Sequence, residues 1–67
     1  MNTYIMKYNE LERKLSKEGC FLFREGGNHP LWFSPITRKT FPTSKHKSKE
    51  VRPGTLKNIE RLSGVKF

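Results

Sequence analysis

Cysteine occurs once, histidine twice and aspartate not at all in these 67 residues. A single thiol excludes an internal disulfide framework and any cysteine-based zinc site, so stability has to come from packing. Two histidines with no thiol or carboxylate cluster beside them cannot close a metal site, so no metal and no other cofactor is expected. No apolar run approaches the roughly 18 residues of a membrane span. The opening Met-Asn-Thr-Tyr-Ile-Met has no apolar core of a signal peptide, which excludes secretion and makes the cytoplasm the expected location. Length excludes more. A chain of this size forms one domain, residues 1–67, that buries only about 60% of the surface exposed by its unfolded form. A second domain does not fit, and neither does an enzyme built around a deep pocket.

What is abundant is positive charge: 14 Lys and Arg against six acidic residues, a net +8. It is unevenly placed. Residues 1–34 hold five basic and four acidic side chains, net +1, whereas residues 35–67 hold nine and two, net +7. The excess is densest at Lys45-His46-Lys47-Ser48-Lys49 and Arg52. Such a block can be merely a solvated loop, but its asymmetry favours a face that meets phosphates.

Pattern and punctuation divide the chain into five elements. Asn9, with Glu12 three residues on, is a candidate capping box. Tyr8, Leu11 and Leu15 then give an apolar stripe, and Gly19 stands where a left-handed residue closes a helix of about 8–18. Cys20 to Arg24 is aromatic-rich and reads as a strand, with Gly26-Gly27-Asn28 as a hairpin turn reached through positive φ. His29 to Phe33 reads as a second strand, where Pro30 argues for an edge or a bulge. Lys39 to Phe41 begins a third, limited by Pro42, before a basic loop over residues 43–52. Pro53 opens a second helix bearing Leu56, Ile59 and Leu62, and Gly64 ends it, leaving Val65 and Phe67 to fold back on the sheet. The order predicts an α+β fold, α-β-β-β-α, with a three-stranded antiparallel sheet and two helices on one face. Leu11, Leu15, Phe21, Phe23, Trp32, Phe41, Leu56, Ile59 and Leu62 are the expected core. Period 2 groups Phe21 with Phe23 but leaves open which face of the second strand turns inward.

Four features carry chemistry. His29 follows the glycine turn, where backbone approaches a ligand closely and an imidazole can exchange a proton with a hydroxyl. By itself a histidine in a hairpin is an ordinary surface or packed residue. His46 lies between Lys45 and Lys47, with a solvated loop as its plain reading. Cys20 has no adjacent base and reads as a buried small hydrophobe. Arg52-Pro53-Gly54-Thr55 starts a helix whose free N–H groups suit an anion, although it is equally an ordinary helix start.

Together these residues resemble the HicA mRNA interferase toxins, also called YcfA-like. The run Arg24-Glu25-Gly26-Gly27-Asn28-His29 resembles the Arg-x-x-Gly-(Ser/Asn)-His turn of that family. From Pro42, the order His46, Lys49-Glu50-Val51, Pro53-Gly54-Thr55-Leu56, Ile59 and Gly64-Val65 resembles its second signature. The resemblance covers residues 6 to 65, with Pro30 as a departure directly after the histidine. Residues 1–5 precede the family's usual start and read as an extension, which leaves Met1 and Met6 as alternative starts.

The resemblance implies a fold like the double-stranded-RNA-binding domain, an endoribonuclease that cuts mRNA without metal, and a HicB antitoxin that covers its active site. His29 corresponds to the family's catalytic histidine, with His46 as a candidate partner. Arg24, Gly27, Asn28, Lys45, Lys47, Lys49, Arg52 and Thr55 are the candidate RNA-binding residues. Two other readings use the same charge: a non-catalytic RNA-binding module of this fold, and a small basic protein that binds an acidic partner.

Overall fold

The computed structural model describes residues 5–67, in the element order α1 (Tyr8–Lys17), β1 (Phe21–Glu25), β2 (Pro30–Ser34), β3 (Lys39–Pro42) and α2 (Pro53–Ser63). The three strands form an antiparallel sheet in the order β1-β2-β3. This is the α+β arrangement expected from the sequence. Of the expected N-terminal extension only Ile5, which is exposed, falls within the described residues.

The first helix stops as anticipated but starts differently. Gly19, at φ 96°, lets its own N–H reach Ser16 O at 3.1 Å and the Cys20 N–H reach Leu15 O at 2.9 Å. These two bonds satisfy carbonyls that the helix end would otherwise leave bare. They also bury Cys20 beside Leu15 in the core, so the thiol is the packed small hydrophobe expected. At the other end the capping residue is Lys7, whose N–H donates to the Glu10 carboxylate at 3.0 Å. Asn9 and Glu12 do not form the predicted capping box; both lie inside α1, and Glu12 turns toward the loop after β3.

Leu11, Leu15, Trp32, Phe41, Val51, Ile59 and Val65 form one buried cluster, with Leu56, Leu62 and Phe67 packed against it. Phe67 lies beneath Lys14 of α1, whose ammonium is 5.6 Å from the ring centre. In β2, Pro30, Trp32 and Ser34 face this core, while Leu31 and Phe33 face the other side. The pairing Trp32↔Phe41 places both rings inward.

Phe21 and Phe23 do not join the core as expected: they are 50% and 58% exposed. Phe21 pairs with Phe33 and so shares its outward face, and Phe23, two residues on, lies on the same side; the bulge between Leu22 and Arg24 then sets Arg24 opposite Leu31 and outward as well. A bulge sets two residues opposite one and re-aims the extra side chain. The three rings cluster there, with centroids 5.4 Å and 6.3 Å from Phe33.

The prolines and turns also depart from expectation. Pro30 starts the central strand rather than an edge, and the bulge belongs to β1. Neither Gly26 nor Gly27 has positive φ; that conformation occurs instead at Arg38, in the β2–β3 turn, with φ 62°. Gly26 is needed for space, because a Cβ there would collide with the backbone carbonyl oxygen of His29.

The β2–β3 turn grips the end of α2. The Ser34 hydroxyl, fully buried, donates to Ser63 O, and the Thr37 hydroxyl donates to Leu62 O. Carbonyls of a last helical turn have no intrahelical donors, so these hydroxyls complete it. Gly64 sits at φ 75°, and a Cβ there would lie 2.8 Å from Ile36 Cγ2. Gly64→Ala should therefore cost about 2 kcal/mol, through left-handed strain and overpacking. A thermal melt should show Tm lowered by about 8–16 °C.

Candidate nucleic-acid interface

The loop after β3 is irregular but firmly held. The first amides of α1 have no partners within the helix, and the loop supplies them: Tyr8 N–H donates to Lys49 O at 3.0 Å and Asn9 N–H to Lys47 O at 2.9 Å. Val51 N–H donates to Met6 O at 2.8 Å, and Lys7 pairs with Glu50 in an isolated antiparallel bridge. Within the loop, His46 N–H donates to Ser44 Oγ and Lys49 N–H to His46 O. Thr43, Ser44 and Val51 are buried, while Lys45, His46, Lys47 and Lys49 remain exposed. The basic run is thus a solvent-facing ridge with a buried footing.

Side chains tie this ridge to α1 and to His29. Glu12 accepts from the Thr43 hydroxyl at 3.2 Å and from Lys47 Nζ at 2.6 Å. The Lys47 ammonium is half exposed, whereas the Glu12 side chain is mostly covered. Thr43 in turn holds the histidine: His29 Nδ1 lies 3.0 Å from Thr43 O. A backbone carbonyl only accepts, so Nδ1 carries the hydrogen. In the neutral ring Nε2 is then the unprotonated nitrogen, because the bond made by one ring nitrogen fixes the role of the other.

His29 is exposed in the turn directly before β2, whose Leu31 and Phe33 face away from the core. Arg24 pairs with Leu31 and is exposed on that side too. Gly27 and Asn28 are exposed in the turn between β1 and β2. The structure therefore brings Arg24 and the three outward phenylalanines onto one face of the sheet, with the glycine turn and His29 at its end, and joins His29 to the footing of the lysine ridge through Thr43.

Arg52 and Thr55 stand apart from this group. Arg52 caps α2 without a side-chain bond, and Thr55 is exposed in its first turn. Among the described residues no hydrogen bond or ion pair joins either of them to His29.

A family model described as the HicA toxin of bacterial toxin–antitoxin systems matches residues 8–65. The chain belongs to the HicA toxin family. No curated protein and no solved structure gives a match. Among the described residues, no helix of this HicA-family toxin is long and apolar enough to cross a membrane.

Sequence reasoning did not anticipate that Thr43 would bond His29 through its carbonyl and Glu12 through its hydroxyl in this HicA-family chain. Thr43 contributes a backbone oxygen, which no residue type announces. Glu12 lies 31 residues away from Thr43 in the chain. The one available signal was Pro30, whose missing N–H leaves a strand carbonyl in need of a donor.

Proposed function

We propose that this toxin is a metal-independent endoribonuclease that cuts single-stranded mRNA, with His29 as general base. The observation that carries the reading is the bond from His29 Nδ1 to Thr43 O, which leaves Nε2 as an acceptor on an exposed residue. In the reaction Nε2 takes the proton of a ribose 2′-OH. The 2′-oxygen attacks the adjacent phosphorus, the P–O5′ bond breaks, and the products are a 2′,3′-cyclic phosphate and a 5′-hydroxyl end.

Negative charge grows on the phosphoryl oxygens in the transition state, and oriented cations and amides stabilise it. Arg24 and Lys45 serve that role, with Lys47 and Lys49 along the ridge holding flanking phosphates and Gly27 and Asn28 lining the turn. His46 is the candidate donor of the proton to the leaving 5′-oxygen. The start of α2 supports a further phosphate contact near Arg52 and Thr55: it has no acidic residue in its first turn and no side-chain cap.

The outward rings suit single-stranded substrate, whose unstacked bases lie on aromatic faces. Phe21, Phe23 and Phe33 stand on the outer face of the sheet whose central strand His29 precedes, so bases stacked there lead the backbone toward the imidazole. Phe23→Ala should raise KM for a short single-stranded RNA by about 5- to 150-fold, the worth of one stacked base. Steady-state cleavage should show kcat nearly unchanged and the melting temperature unaltered, because this ring is largely solvent-facing.

The family membership supports a HicB antitoxin as protein partner, and we place its contact over the His29 surface. Cleavage of single-stranded RNA by purified toxin in the presence of a chelator tests the reading as a whole. RNA that binds in a salt-dependent way but stays intact would instead establish a non-catalytic binding module.

A further inference from the structure

We propose that Pro30 is a positioning residue for His29: by withholding a strand N–H, it leaves the Thr43 carbonyl to the imidazole and selects the ring tautomer. This inference rests on the reading of His29 as general base. Its ground is the ladder between β2 and β3. The register Leu31↔Pro42 and Trp32↔Phe41, extended by one residue, sets Pro30 opposite Thr43. Opposed residues in antiparallel strands alternate between pairs that exchange two N–H···O bonds and pairs that exchange none.

Position 30 falls in a bonded pair, because Thr43 N–H donates to Pro30 O at 3.0 Å. The reciprocal bond, from residue 30 to Thr43 O, cannot form, since proline has no N–H. Thr43 O nevertheless has a donor, namely His29 Nδ1 at 3.0 Å. The imidazole of residue 29 thus occupies the place that the backbone of residue 30 vacates.

The same alternation explains how a central strand tolerates proline at all. Pro30 loses one ladder bond, which the neighbouring side chain replaces. Pro42 sits in the non-bonded pair with Leu31, where the absent N–H would have faced away from β2. Only Pro30 therefore opens a carbonyl next to His29.

Two consequences follow for the chemistry. The ring is oriented by a rigid strand atom rather than by a mobile side chain. Nε2 is left as the unprotonated nitrogen of an exposed residue, with no carboxylate needed to choose the tautomer. In many histidine sites a carboxylate or carbonyl fixes the ring in this manner; here proline frees the carbonyl.

The test is Pro30→Val, which restores the N–H in a residue suited to a strand. Long-range 1H–15N correlation of the full chain reads the tautomer of His29 directly. The wild type is expected to show Nδ1–H, and the variant a loss of that signature as the restored amide claims Thr43 O. Cleavage by the variant should fall in kcat by up to about 100-fold, the scale of a misplaced catalytic group, with KM nearly constant. An Nε2–H tautomer in the wild type, or an unchanged Nδ1–H tautomer in the variant, overturns the proposal. The spectrum does not depend on activity, so it separates this idea from the assignment of the base. Undiminished cleavage by His29→Ala would sink that assignment without altering the tautomer measured.

Discussion

His29→Ala is expected to lower RNA cleavage by about 10²–10⁴-fold, the contribution of a positioned general base. The fold should survive the change. His29 is exposed and makes one side-chain bond, to Thr43 O, and a bond of that kind contributes only about 0.5–1.5 kcal/mol net. RNA binding should survive as well, because the net +8 counts neither histidine as charged. The slope of log affinity against log salt reports the number of phosphates neutralised, and that slope should match the wild type. Loss of cleavage with binding and melting temperature retained is the signature of a chemical role. Equal cleavage in the variant would remove His29 from the mechanism, and joint loss of binding and folding would reduce it to a structural residue. In cells, growth arrest on expression of the wild type should disappear with His29→Ala.

The sequence was most legible where a residue type has few conformational uses. Gly19 and Gly64 ended their helices at positive φ, and Pro53 opened α2, as their chemistry requires. Element boundaries fell within about a residue of expectation because these punctuators are local. Cys20, read as the first strand residue, spends its N–H on closing α1, so β1 begins at Phe21.

Facing was harder to read than order. Phe21 and Phe23 do share a face, but hydrophobicity alone assigned it to the core. Their exposure follows from a fact invisible to a period-2 pattern: the register Phe21↔Phe33 sets them with the outward residues of β2 and not with Trp32. The inward side of β1 is left to Leu22, which is itself 44% exposed. Glu12 was misplaced for a related reason. Its spacing from Asn9 fits a local cap, yet Thr43 and Lys47 compete for the carboxylate across more than 30 residues of chain.

The candidate site divides along the same line. The glycine turn, His29 and the basic run are properties of residue type and were recognisable as such. What joins them is main chain: amides of α1 on the loop carbonyls, and Thr43 O on the imidazole. Pro30 stood out as an argument for an edge or a bulge and as a departure from the family's pattern. Its meaning emerged once the strand register set it opposite Thr43.

Phe41→Ala is the substitution with the largest expected effect on stability, about 3–5 kcal/mol from lost burial and the cavity left behind. Phe41 is 1% exposed, stands opposite Trp32 in the sheet, and shares a cluster with Leu11, Leu15 and Ile59. At roughly 0.05–0.15 kcal/mol per residue, a chain of this length has only about 3–10 kcal/mol in total. One ring thus accounts for about a third or more of the folding free energy, and chemical denaturation should show the variant's midpoint lowered by at least that fraction. Phe23→Ala supplies the internal comparison: the same truncation on the opposite side of the sheet should leave the denaturation midpoint close to wild type. The contrast tests the facing of the sheet directly. If Phe23→Ala were the more destabilising of the two, the outer surface would be core, and the stacking role given to its rings would fall with it. If the order is as stated, three phenylalanines stand at a solvent face that folding does not require, as the proposed stacking of unpaired bases demands. In a small domain with so little stability to spare, the proposed stacking of bases gives that exposed aromatic surface its reason.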